Sequence, residues 1–172
     1  MRSDNLKWMP TSVQERPTLT ADGIQIEMVS LKRQTLLSGP ISHALNAAGQ
    51  KVAVGWPDVA SSDSYALRLR RDRILLVGGP NMTDGWHDDI GLAISNVSNA
   101  YSVIELSGKR AFQLLQRGTE ISRGETSSSV VRLYSGYATL IYGYHASDRW
   151  RMHVPRAFLD GLWDLVTTYC DE

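Results

Sequence analysis

Twice in this chain a run of strand-forming residues stops at a Leu-Ser-Gly turn and passes directly into a helical pattern. The stronger copy runs from Tyr101 to Val166 as strand, Ser107-Gly108-Lys109, helix, strand pair, strand, Pro155 and helix. A fainter copy lies upstream. Leu36-Leu37-Ser38-Gly39-Pro40 leads into Ile41–Ala48, Tyr65–Arg70 and Arg73–Val77 follow as two strands, and Gly79-Pro80 precedes a further short helical run. The copies are offset by about 70 residues, and a repeat of that period means supersecondary units that bury their apolar faces on one another.

At 172 residues the chain fits one domain, or two half-domains sharing a core. A chain of that size buries roughly 70% of the surface that its unfolded form exposes, so it needs no disulfide or metal staple. The 18 basic residues balance 18 acidic ones. A formal charge of zero offers no long-range attraction to nucleic acid or anionic lipid, and it weakens self-repulsion, which suits life in an assembly. Cys170 is the single cysteine and can form no internal disulfide; it reads as a tail thiol without a role. No run reaches the 18 or so apolar residues of a membrane span. The N-terminus lacks the apolar stretch of a signal peptide, which predicts a cytoplasmic protein.

Residues 1–23, with Pro10, Pro17 and no period, read as an N-terminal tail. Residues 24–172 read as one domain of two half-repeats, about 24–92 and 93–172. Ile24, Ile26 and Met28 alternate with Gln25 and Glu27, as in a half-buried strand. Ile41, Ala44, Leu45 and Ala48 fall at helical spacing after Pro40, with Gly49 as the stop. Gln50–Ser64 reads as a loop. Tyr65–Arg70 and Arg73–Val77 read as a hairpin, whose arginines Arg68, Arg70, Arg71 and Arg73 belong near its solvent face. A cap at Thr83 or Asp84 predicts a short helix through Ile90. Ala93–Val97 and Tyr101–Leu106 read as strands, Lys109–Gln116 as a helix. Val130–Leu133, Ala138–Tyr142 and Trp150–Val154 form a meander, and Pro155 opens a helix with Phe158, Leu162, Leu165 and Val166 on one stripe. The pattern predicts an α+β fold: two pseudo-symmetric βαββ-type halves, with mainly antiparallel sheets and helices packed on them.

The chemistry-bearing residues form no familiar set. Gly108-Lys109 lacks the upstream glycine and the following Ser or Thr of a phosphate loop, and Gly78-Gly79 lacks the third glycine of a dinucleotide turn. His43, His87, His145 and His153 show no zinc spacing, although His145 and His153 flank one hairpin and are candidates to face each other. His87-Asp88-Asp89 has a base beside a carboxylate but no nucleophile in view, and Ser127-Ser128-Ser129 lacks the GxSxG frame. No residue is therefore assigned a catalytic, cofactor-binding or metal-binding role. Of five tryptophans, Trp150 and Trp163 fall inside elements. Trp8, Trp56 and Trp86 fall in or beside loops, which makes these three the candidates for interface anchors.

The segment Tyr101–Gly108 with Ala111–Leu115, the strand Asp72–Val77, and Arg149–Phe158 followed by Leu162-Trp163 together resemble the gamma subunit family of heterotetrameric sarcosine oxidase. More broadly they resemble the folate-binding fold of the glycine-cleavage aminomethyltransferase. The resemblance spans about residues 24–169. It implies a cofactor-free gamma subunit that packs chiefly on a large alpha subunit, with beta and delta subunits in the same complex. It places FAD, FMN, NAD, tetrahydrofolate and zinc on those partners, which oxidise sarcosine or a related N-methyl amino acid. The chain departs from the family at Arg71-Asp72-Arg73, which replaces the usual turn. No motif places the aminomethyltransferase's catalytic aspartate, so no catalytic or folate residue carries over. The alternative is a stand-alone tetrahydrofolate-binding module. That reading calls for a pocket between the halves, and the reactive-cysteine signature of such modules is missing.

Overall fold

In the computed structural model of the chain, residues 16–171 are described. In chain order the elements are β1 (Leu19–Ala21), β2 (Ile24–Val29), β3 (Gln34–Ser38), α1 (Ile41–Ala47), β4 (Ala53–Val54), β5 (Val59–Ala60), β6 (Tyr65–Arg70) and β7 (Arg73–Val77). There follow β8 (Gly85–His87), β9 (Leu92–Asn96), β10 (Tyr101–Ser107), α2 (Ala111–Gly118), β11 (Val131–Tyr134), β12 (Tyr137–Tyr144) and β13 (Ala146–Pro155). A single 3-10 turn (Arg156–Phe158) then leads into α3 (Leu159–Asp171).

The fold is α+β, with mostly antiparallel sheets and few helices. The first sheet has the order β1-β2-β10-β13-β12-β11, with β5 added in parallel to β12; the second has the order β4-β6-β7-β3-β9-β8. The two stack face to face. On the outer face of the first sheet, Ile104, Leu106, Trp150, Met152 and Val154 meet the buried stripes Ala111-Leu114-Leu115 of α2 and Leu162-Trp163-Val166 of α3. On the outer face of the second, Leu37, Ile74, Leu76, Leu92 and Ile94 meet Ala44 and Ala48 at the end of α1. Between the sheets, Leu67, Leu75 and Val77 pack on Leu140, Tyr142 and Tyr144. A strand buried on both faces reads as a continuous apolar run, which is why Ile74–Val77 does so: β7 lies between β6 and β3. Each fully buried Leu or Ile contributes about 1.5–3 kcal/mol, so the three apolar layers hold the sheets and helices together.

The same succession of partners occurs in both sheets. A hairpin (β1–β2 in one, β8–β9 in the other) flanks the strand that enters a Ser-Gly turn and a helix (β10 and α2, β3 and α1). That strand pairs on its other side with the second member of another hairpin, β13 or β7. The leading hairpins are exchanged along the chain: β1–β2 precedes β3 but pairs with β10, and β8–β9 precedes β10 but pairs with β3.

The two Ser-Gly turns are built alike. The Gly39 N–H donates to the Asp72 carbonyl at 2.9 Å, and the Gly108 N–H donates to the Asp148 carbonyl at 3.0 Å. Gly39 has φ +146° and Gly108 φ +109°. A Cβ on Gly39 would lie 2.6 Å from the Gly91 carbonyl oxygen, and one on Gly108 would lie 2.4 Å from that of Gly23. Each turn therefore needs glycine both for its backbone angle and for the close passage of the neighbouring hairpin.

Four local expectations are corrected. Thr83–Ile90 is not a helix: Gly85 adopts φ +131°, far from helical angles, and Gly85–His87 pairs with Leu92–Ile94 as β8. Leu19–Ala21, which the sequence pattern leaves in the tail, pairs with Ile24–Ile26 as β1. The stretch 50–64 is no plain loop, because β4 and β5 stitch it to β6 and β12. Cys170, far from being a loose tail thiol, is buried on the inner face of α3.

Candidate functional site

Alternation along β13 sends Trp150, Met152 and Val154 to the helices, so Arg151 and His153 must point at the other sheet. Glu105 on β10 and Tyr142 on β12 are the cross-strand neighbours of Arg151 and share its face. From the second sheet, Tyr65 on β6 and Gln34 on β3 come down to meet them. All six are buried, His153 and Tyr142 completely.

These side chains form one continuous polar chain. Arg151 Nε donates to Glu105 Oε2 at 2.9 Å, and Arg151 Nη1 donates to Tyr65 Oη at 3.1 Å. Tyr65 Oη lies 2.7 Å from Tyr142 Oη, which lies 2.8 Å from His153 Nε2; His153 Nδ1 lies 3.0 Å from Gln34 Oε1. The Gln34 amide continues to the Ser98 carbonyl at 3.5 Å. The Gln34 Oε1 can only accept, so the neutral imidazole carries its proton on Nδ1 and accepts at Nε2, which fixes the direction of the bonds behind it. Tyr65 gives its proton to Tyr142, Tyr142 gives its own to His153 Nε2, and the imidazole donates from Nδ1 to Gln34. The path crosses between the sheets three times before it leaves through Ser98.

Burial and this wiring set the protonation states. Desolvation, reinforced by the Arg151 charge, pushes His153 down to about 3, so the ring is neutral. Desolvation raises Tyr65 and raises Tyr142 well above the usual phenol value. Burial alone would lower Arg151, but the hydrogen bond to Glu105 and the neighbouring tyrosine oxygens outweigh it and hold the guanidinium charged. Its carbon also sits 3.2 Å from the centre of the Tyr144 ring. A buried charge of this kind costs several kcal/mol unless it is paired and hydrogen-bonded, and here it is both. The arrangement fixes the register and distance of the two sheets. Around the polar chain the same layer holds Leu67, Leu75, Val77, Leu140 and Tyr144.

The edges of the sheet interface differ. Arg149 on β13 lies across from Ser107 and pairs with Glu105 Oε1 at 3.3 Å. Arg73 on β7 lies across from Ser38 and donates from Nε to the Ser38 hydroxyl at 3.0 Å; it makes no ion pair with a described residue.

Trp8 lies outside the described residues. Trp56 is a core residue, 2% exposed, and not an exposed anchor. Its indole donates to the Ser122 carbonyl at 2.9 Å, its ring stacks on Trp150 at 5.2 Å, and its backbone bridges to Ser127. Trp86 is 63% exposed on the edge strand β8, its indole N–H held by the Asp88 carboxylate. His145 and His153 do not meet: His145 is exposed in the β12–β13 turn at φ +58°, while His153 is buried eight residues along. The Ser127 and Ser129 hydroxyls serve local turns, and Ser129 also donates to the Leu69 carbonyl. Arg70 and Arg71 are exposed, as the hairpin pattern predicts, whereas Arg68 is half-buried and its Nε is unpartnered. No group of three or more His, Cys, Asp or Glu among the described residues is arranged to hold a metal. No helix among them is long and apolar enough to cross a membrane. A shallow depression beside α2 and α3 is lined by Arg110, Arg117, Tyr169 and Cys170.

The polar chain itself escapes sequence reasoning, except for His153. The available signal is Glu105 inside the apolar run Val103–Leu106, and two ionisable residues alternating with Trp150, Met152 and Val154. Alternation assigns such residues to solvent when only one face of a sheet is covered. Here both faces are covered.

No family model matches the chain, and no curated protein matches it. Among solved structures, the chain is similar to a chain of heterotetrameric sarcosine oxidase from Corynebacterium sp. U-96, determined in complex with pyrrole 2-carboxylate. The identity is 15%, the TM-score is 0.68, and the match covers 90% of this chain and 87% of that one. The two share a fold.

Proposed function

We propose that this chain is the gamma-type subunit of a sarcosine-oxidase-like heterotetrameric flavoenzyme, without a reaction centre of its own. In this role it assembles on a large alpha subunit, beside beta and delta subunits. The observation that carries the reading is the extent of the structural match, which takes in nearly all of both chains. Two chains so matched are of comparable length, as a small subunit requires and a large alpha or beta subunit does not. FAD, FMN, NAD, tetrahydrofolate and zinc then sit on partner subunits, which oxidise sarcosine or a related N-methyl amino acid in the cytoplasm.

Co-expression with the neighbouring open reading frames and capture through a tag on this chain tests the proposal. The expected result is a yellow complex, carrying flavin on larger chains, that oxidises N-methyl amino acids. A colourless chain that retains none of the co-expressed proteins overturns it.

A further inference from the structure

One end of the inner face of the second sheet carries residues that are not fully buried. Across it runs a row of cross-strand neighbours: Arg73 on β7, Ser38 on β3, Ala93 on β9 and Trp86 on β8. All four share one face, opposite to Leu37, Ile74, Leu92 and Ile94, which cover α1. None of the four is buried, and Trp86 is 63% exposed. The row is a shelf with a floor of small side chains, a large ring at its rim and a cation at its other end.

The first sheet has the corresponding row, Arg149, Ser107, Gln25 and Thr20, drawn from β13, β10, β2 and β1. There the arginine is satisfied from within by Glu105, two residues before the turn serine. In the second sheet the residue two before the turn serine is Leu36. Arg73 therefore has a hydroxyl partner and no carboxylate among the described residues. At the far end, Thr20 is replaced by a tryptophan whose ring is already oriented by Asp88. An exposed aromatic group fixed in advance loses little freedom on binding, and Trp and Arg are the residue types that carry most interface energy.

We infer that this shelf docks the partner subunit, through a segment that gives Arg73 the carboxylate its own sheet lacks and lays an apolar side chain on Trp86. Three strand spacings separate the two anchors, so the carboxylate and the apolar group stand roughly 14 Å apart on the partner. The small side chains of Ser38 and Ala93 let the segment approach the sheet closely. The inference rests on the subunit reading above and names the face that the reading requires.

The test uses the co-expressed complex, with the affinity of this chain for its flavin-bearing partner measured for four variants. Trp86→Ala and Arg73→Glu each weaken binding by about 30-fold or more, the loss typical of an interface hot spot. Ala93→Glu, which removes no contact, blocks the floor and offers Arg73 an internal carboxylate; it weakens binding to the same degree. Thr20→Ala, in the corresponding row of the other sheet, leaves the affinity within about twofold. Each variant is checked for wild-type melting. If the wild-type chain binds the partner and the three shelf variants bind it equally well, the shelf is overturned while the subunit reading stands. If the wild-type chain binds none of the co-expressed proteins, both fall.

Discussion

The two turn corners of this molecule share a plan and differ in how their charges end. In both, a strand stops at Leu-Ser-Gly, the glycine leans on the turn of a neighbouring hairpin, and an arginine stands across from the serine. In the first sheet that arginine joins Glu105, which in turn anchors Arg151 and the buried polar chain. In the second sheet the place of the glutamate is taken by Leu36, which packs into the space between the sheets. One corner is closed on itself by charge. The other is closed by an apolar contact and leaves its arginine without a carboxylate among the described residues. A shared backbone plan therefore fixes the turns, while a single position decides whether a corner is self-sufficient.

The largest effect is expected at that position. Glu105→Leu, which copies the second corner into the first, leaves the Arg151 guanidinium buried without its carboxylate. Breaking one side of a buried pair costs about 3–5 kcal/mol, against a total stability of about 5–15 kcal/mol for a domain of this kind. Urea unfolding of the variant reads it directly. A loss below about 1 kcal/mol would mean that Arg151 is not held by Glu105 as the geometry requires.

The next expected effect tests whether the turns are equivalent. Gly39→Ala and Gly108→Ala each force a Cβ to within 2.6 Å and 2.4 Å of a backbone oxygen, at positive φ in both cases. Each should cost about 2–3 kcal/mol in thermal or urea unfolding. Tolerance at one turn with loss at the other would break the correspondence between the corners.

Much of this plan is legible in the chain. The alternation of Ile24, Ile26 and Met28, the Tyr65–Val77 hairpin and the closing meander all follow from a period of two, because each of those strands pairs with a near neighbour in sequence or has one face plainly apolar. The exchange of leading hairpins is not legible, since it depends on pairing between β2 and β10 and between β3 and β9, whose partners lie 55 to 82 residues apart. Thr83–Ile90 misleads because its local capping residues favour a helix while pairing with Leu92–Ile94 favours a strand, and the pairing wins. Trp56 misleads because 15 residues without regular structure look like a surface loop; two short strands pull the segment inward instead. The polar chain is hidden because a charged residue in an alternating strand normally marks the wet face.

That chain also predicts how stability depends on pH. His153 sits near 3 in the folded protein and near 6.5 when exposed in the unfolded chain. Between those values the unfolded state binds a proton that the folded state refuses, so stability falls as the pH drops through this window, by about 1.4 kcal/mol per unit for this one group. Arg151, which faces the ring, stays charged throughout, and Tyr142 and Gln34 do not titrate there. Relative to wild type, His153→Gln should flatten the stability profile between about pH 6.5 and pH 4 by that slope. An unchanged slope would show that the imidazole is not held neutral by its two partners.

The smallest expected effect discriminates most sharply between the two corners. Arg149 is half-exposed and pairs with the buried Glu105, so Arg149→Ala should cost the isolated chain about 0.5–1 kcal/mol, a loss that shrinks at high salt. Arg73 has only the Ser38 hydroxyl, and Arg73→Ala should leave the isolated chain within about 0.5 kcal/mol of wild type at any salt. The asymmetry is the physical meaning of an open corner: an arginine that contributes little to its own fold keeps its charge available to another chain. Equal and salt-sensitive losses at both positions would mean that Arg73 is already engaged within its own chain, and the shelf would then have no charge left to offer a partner.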